Sequence, residues 1–192
     1  MALSLHSIDA ILILSTEDSS RIYAKYYSPP HVASGQTHKS PYSTPKEQKA
    51  FEKGLMEKTI KTNGDIILYD NRVVVYKTEG DTMLFVVGSA DENEILLFNA
   101  VLALRDSLNI LLKTSVDRRT IIENYDLVCL AIDELCDDGV LLETDPITIA
   151  SRVSKPPPQD INVKGIDLSE QGLLNAWEFA KMKAAERIRQ GI

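Results

Sequence analysis

The chain has 192 residues, 44% of them hydrophobic and 26% charged, and its formal charge is −7. That is enough for one domain with a real core plus appendages. A diffusely acidic composition with no basic block excludes nucleic acid as the expected partner.

Residues 8–14, IDAILIL, are apolar on both faces apart from Asp9, as suits a strand covered on two sides. The run has no basic flank, so a strand is expected rather than a secretory signal. STEDSSR is a turn, and 22–27, IYAKYY, forms the second arm of an antiparallel hairpin. Residues 28–44 are rich in Ser, Pro, Thr and His and are expected to be a mobile loop. Thr44 then caps a helix, with Pro45 in its first turn and Glu47 completing a capping box. Ala50, Phe51, Leu55 and Met56 form its apolar side, and Asn63-Gly64 is expected to end it.

Three strands follow, DIILY, RVVVYK and MLFVVG, with Asp70-Asn71 suited to the first tight turn and TEGD joining the second pair. A second helix is expected from DENE, with Asp91 and Glu94 at capping-box spacing. From 95 to 104 only Asn99 is polar, so this helix is apolar nearly all round and must be covered from more than one direction. Other helices or a second protein could supply that cover. The helix is too interrupted, by Asn99, Arg105 and Asp106, to read as a membrane span of about 20 residues. A third helix is expected from about Asp117 to Asp138, with Ile121, Ile122, Tyr125, Val128, Cys129, Ile132, Leu135 and Cys136 on one stripe. Residues 140–153 are expected to be extended and then to turn.

The predicted order is β-β-α-β-β-β-α-α, an α+β fold with helices on both faces of a five-stranded sheet. The domain spans 1–153. A Pro-rich linker, 154–166, leads to an amphipathic C-terminal helix, 167–192, with Leu173, Trp177, Ala180, Ala184 and Ile188 as its stripe. Its basic and acidic residues are nearly balanced, which argues against an interfacial membrane helix, and Trp177 is expected to anchor packing.

The stretch AIDELCDDGVLLETDP, 131–146, is the one place where chemistry is suggested. As a calcium loop with Gly139 at position 6, it would put Cys136 at position 3 and Asp145 at position 12. The first is a soft ligand and the second is too short for bidentate binding. A helix that frays at Asp137-Asp138, capped by Gly139, fits better. His6, His31, His38 and the two cysteines lack zinc-ligand spacing. Cys129 and Cys136 on one helix would be about 10 Å apart along its axis, too far for a disulfide. Glu123, Asp126, Asp133 and Asp137 fall opposite the apolar stripe, where solvation is expected rather than acid–base work. No nucleotide-binding glycine loop or nucleophile elbow is present. No cofactor and no enzymatic activity are expected. Ser28, Ser40 and Thr44 each precede proline in or beside the loop, a pattern that turn-forming composition already accounts for.

DAILIL, RIYAKYY, KEQKAFEK, VVVYK, VVGSADENEILL, LAIDELCDDGVLLETDP and LSEQ occur in the order found in the zeta-subunit family of coatomer. More distantly the chain resembles the small sigma subunits of clathrin adaptors. The resemblance spans nearly the whole chain, and KEQKAFEK together with the LAIDELCDDGVLLETDP phrase is its most specific part. It implies a longin-like fold: a five-stranded antiparallel sheet, one helix on one face and two on the other. It also implies a non-enzymatic subunit of the COPI coat in Golgi-to-ER retrograde and intra-Golgi transport. Such a subunit pairs with the large gamma subunit, a helical solenoid, and through it with the other coatomer subunits. It is cytoplasmic and reaches Golgi membranes only within the coat, which an Arf-family GTPase recruits. The alternative is a longin-type trafficking regulator or GTPase-linked scaffold outside the coat.

On this resemblance the outer side of the second helix is expected to meet the large subunit. Leu108 and Leu112 are then partner contacts, and their charged variants should weaken pairing without unfolding the domain. Val116 and Ile121 match the site where sigma relatives hold part of an acidic-dileucine pocket, and Trp177 is a further candidate contact. Asp106 falls where that pocket needs an apolar wall, so the pocket is not expected to function in that form.

Overall fold

The computed structural model describes residues 5–28, 42–62, 64–113 and 115–154. The predicted linker from 155 onward, the terminal helix with Trp177 and most of the 28–44 loop lie outside the described residues. Strands β1 (Ala10–Ser15), β2 (Arg21–Tyr26), β3 (Ile66–Tyr69), β4 (Arg72–Glu79) and β5 (Thr82–Ser89) form one antiparallel sheet in the order β2-β1-β5-β4-β3.

The helices are α1 (Pro45–Thr59), α2 (Glu94–Leu112), α3 (Arg118–Glu123), α4 (Tyr125–Leu135) and α5 (Pro146–Val153). A two-stranded hairpin, β6 (Cys136–Asp137) with β7 (Val140–Leu141), separates α4 from α5.

Strand alternation divides the core in two. Ala10, Leu12 and Leu14 of β1 face α1, alongside Val74, Tyr76, Phe85 and Val87. Ile11 and Ile13 face the other way, toward α2 and α4, with Val73, Val75, Leu84 and Val86. All six β1 residues are buried, as a strand roofed on both sides requires.

On its face α1 is the only described helix. Phe51, Leu55 and Met56 are buried there, and the Tyr42 ring lies 4.3 Å from that of Phe51, tilted by 38°, while its hydroxyl donates to Asp70. Tyr42, which the sequence assigns to the loop, is thus a core residue. Arg21 of β2 reaches over to the buried Glu52 with two hydrogen bonds, and the Tyr26 hydroxyl donates to the same carboxylate. Gly54 lets β3 come close: a Cβ there would stand 2.1 Å from the Tyr69 hydroxyl oxygen.

Local signals located several boundaries and misplaced others. Thr44 and Glu47 form the predicted capping box, and Asp70 and Asn71 take φ of 52° and 56° in the predicted turn. The α1 helix ends at Thr59, before the expected stop at Asn63-Gly64, with Thr59 Oγ1 donating back to Leu55 O. Asn93, not Asp91, caps α2, its side chain accepting from Ile95 N.

The expected single third helix is two. Asn124 breaks the helix by sitting outside helical backbone, at φ −122° and ψ 37°, while its backbone N–H and its side-chain amide both donate to Thr120 O. The second piece stops at Leu135, and Asp138 and Gly139, at φ of 45° and 81°, make a two-residue hairpin turn instead of fraying and capping a helix. The turn expected before 153 is a helix, α5, capped by Asp145, whose carboxylate accepts from Thr148 N.

Candidate partner-binding surface

The acidic stretch 131–146 is consumed by structure. Asp133 pairs with Lys25 of β2 at 2.7 Å, while Glu134 and Glu143 both approach Arg152 of α5. Glu143 also accepts from the backbone N–H groups of Thr144 and Asp145. The Thr148 hydroxyl and N–H together hold the Asp145 carboxyl below its usual range. Gly139 O accepts from the N–H groups of Ser7 and Ile8, which docks the chain entering β1 on the hairpin. A side chain at 139 would put its Cβ 2.6 Å from Ile8 O. Among the described residues no group of three or more His, Cys, Asp and Glu side chains could hold a metal ion.

Burial pushes the thiols of Cys129 and Cys136 above the usual range, so neither has the thiolate character of a nucleophile. The carboxylates on the outer side of α3 and α4 do not converge on one another: Glu123 pairs with Arg119, and Asp133 with Lys25.

Exposed apolar side chains are organised by α2. Leu97, Val101, Leu104 and Leu108 are buried against the sheet, while Ala100, Ala103 and Ser107 are buried on adjoining sides of a helix that also contacts α4 and α5. By length and composition α2 could cross a membrane, but here it is a core helix with one wet side. That side runs through Ile95, Asn99, Asp106 and Ile110, with Ile95 71% and Ile110 45% exposed. Further exposed apolar side chains stand on α3, α4 and α5: Ile122, Tyr125, Leu130 and Ile147.

Four of the sequence candidates are therefore not at the surface. Leu108, Leu112, Val116 and Ile121 all lie in the larger core cluster, and Leu112, the most exposed, is only 8% accessible. Each side chain is roofed by its own chain, so a charge at Leu108 or Leu112 is expected to unfold the domain rather than only to weaken pairing. Trp177 lies outside the described residues. Asp106 is not a buried lone carboxylate: it is 42% exposed and pairs with Arg105 at 2.7 Å. Ile95 and Ile110 went unnoticed in the sequence. The signal was available, since Asn99 and Asp106, seven residues apart, mark the wet side of an otherwise apolar helix.

The family model for the clathrin adaptor complex small chain matches residues 7–157. Coatomer subunit zeta of Saccharomyces cerevisiae is 46% identical over 191 residues, covering 100% of this chain and 99% of the yeast protein. The chain belongs to the clathrin adaptor small-chain family, in its coatomer zeta branch. Zeta-1 subunits of Bos taurus and Homo sapiens are each 37% identical over 178 residues, covering 93% of this chain and 90% of theirs. A chain in a homology model of the full-length AP-3 complex in a stretched open conformation superposes with a TM-score of 0.55 at 16% identity. It covers 92% of this chain and 98% of that one, a likeness of fold alone. The wet side of α2 and the flanking helices carry exposed apolar side chains, Ile95, Ile110, Ile122, Tyr125, Leu130 and Ile147.

Proposed function

We propose that this chain is a non-enzymatic subunit of the COPI vesicle coat. It pairs with the large gamma subunit and acts in Golgi-to-ER retrograde and intra-Golgi transport. The observation that carries this reading is the end-to-end match, at 46% identity, to yeast coatomer subunit zeta. The chain is cytoplasmic, and it reaches Golgi membranes when an Arf-family GTPase recruits the assembled coat. The geometry supports a binding role over a catalytic one, because the carboxylates that suggested chemistry serve ion pairs and caps.

Pairing uses the outer side of α2, where Ile95 and Ile110 give an apolar contact beside Asn99 and Asp106. Leu108 and Leu112 act from beneath, by fixing the helix on the sheet. Affinity purification of the tagged chain from cell extract tests the proposal. A large helical-solenoid chain is expected at equal stoichiometry, together with the other coat subunits. A chain recovered alone would overturn it.

A further inference from the structure

Ion pairing is unevenly distributed over this acidic chain. Every described arginine, together with Lys25 and Lys77, pairs with a carboxylate. Lys46, Lys49, Lys53 and Lys58 of α1, and Lys61 just beyond it, are exposed and join no ion pair among the described residues. Of the carboxylates on α1, Glu52 is taken by Arg21 and Glu47 by the capping box, which leaves Glu57. The exposed surface of α1 is thus locally cationic on a protein of net charge −7, with Lys58 and Lys61 at its C-terminal end.

The C-terminal end of α1 lies beside the edge of the sheet. Glu57, Lys58, Lys61 and Thr62 line a shallow cleft of about 620 Å³ with Ile67 and Leu68 of β3. β3 is an edge strand, bonded only to β4 among the described residues. The Tyr76 N–H donates to Asp65 O at 2.8 Å, and Ile66 is opposite Val75. In an antiparallel ladder bonded pairs alternate with unbonded ones, so the N–H and C=O groups of Ile66 and Leu68 point outward to the open edge.

Their side chains share the sheet face of Val75 and Val73, toward α2, and are 45% and 67% exposed. Ile67 and Tyr69 pack on the opposite face, toward α1, with Lys58 Nζ 4.7 Å above the Tyr69 ring. The edge is therefore apolar on one face, while Lys58 and Lys61 outnumber Glu57 on the other. It also lacks the charged side chains with which β2, carrying Arg21 and Lys25, guards the opposite edge.

We propose that β3 is a docking strand for an extended acidic peptide segment of another protein, which pairs with it as a sixth strand. Side chains of an added strand alternate between faces. Apolar residues at every second position lie on Ile66 and Leu68, and the carboxylates between them meet Lys58 and Lys61. The ligand class is a short peptide of alternating apolar and acidic residues. An anionic lipid surface would use the lysines but leave the outward N–H and C=O groups unpaired. The proposal goes beyond membership of a coat, and it is tested on the purified chain without any coat subunit.

The probe is a fluorescein-labelled synthetic peptide of alternating Glu and Val, titrated into the full-length chain and followed by anisotropy. Its comparators are a block peptide of the same composition, a copy N-methylated at alternate backbone nitrogens, and vesicles of phosphatidylcholine with phosphatidylserine. Saturable binding of the alternating peptide is expected, with amide exchange at Ile66 and Leu68 slowed on binding. The N-methylated copy should bind weakly or not at all. A Lys58→Glu and Lys61→Glu double variant with unchanged melting temperature should weaken binding roughly tenfold, the factor two exposed ion pairs supply. Equal affinity for the block or N-methylated peptide would overturn strand addition. So would unchanged exchange at β3, or binding to vesicles alone.

Discussion

The two faces of the sheet are held by different means. The α2 face is aliphatic and layered: α2 lies on β4 and β5, and α4 and α5 pack against α2 in turn. The α1 face carries a single described helix, joined to the sheet through aromatic stacking, the buried Glu52 with Arg21 and Tyr26, and a capping box. The contrast teaches how cover sets the choice of contact. A helix shielded from several sides can be stabilised by apolar burial alone. A helix with one contact face holds its angle on the sheet through directional bonds, and it leaves its other face free for solvent and ligands.

The largest effect that separates the faces is at Leu108. Leu108→Asp buries a charge with nowhere to go and should cost at least about 5 kcal/mol, removing the cooperative thermal transition in circular dichroism. Leu108→Ala, at about 2–5 kcal/mol, should leave a measurable one. Breaking the buried polar latch on the other face comes next. Glu52→Ala strands Arg21 and the Tyr26 hydroxyl and should cost about 3 kcal/mol in urea unfolding, less than a fully buried pair would because Arg21 is 30% exposed.

Gly54→Ala should also destabilise, by about 1–3 kcal/mol, although alanine favours helices. The added methyl collides with the Tyr69 hydroxyl, and a second change, Tyr69→Phe, should restore most of the loss. Thr44→Ala removes one cap and should cost about 1 kcal/mol in the same assay. At the small end, Ile110→Asp should change stability by no more than about 0.5 kcal/mol while reducing recovery of the large partner chain. Equal loss of stability at Ile110 and Leu108 would erase the distinction between the wet and dry sides of α2.

How much was legible varies by region. The capping box at Thr44, the turn at Asp70-Asn71 and the two-sided burial of β1 are local chemistry, written in residue types a few positions apart. The Asp138-Gly139 pair was equally local but competed with a helical stripe that continues through Cys136. Pairing of Cys136 with Leu141, and of Gly139 O with the segment before β1, decided for the hairpin. The exposed side of α2 was less legible. α2 is apolar on nearly every side, so periodicity gives it no preferred face, and only Asn99 and Asp106 hint at one.

The sequence by itself determined the kinds and order of the sheet strands, the two-sided cover of β1, the start of α1 and membership of the family. Only the tertiary structure decided that Leu108 and Leu112 lie inward while Ile95 and Ile110 face out, and that Lys58 and Lys61 stand beside an unguarded strand edge. Helix caps and turns depend on groups a few bonds apart. Burial depends on which distant elements arrive on each side, and no short stretch of residues carries that information.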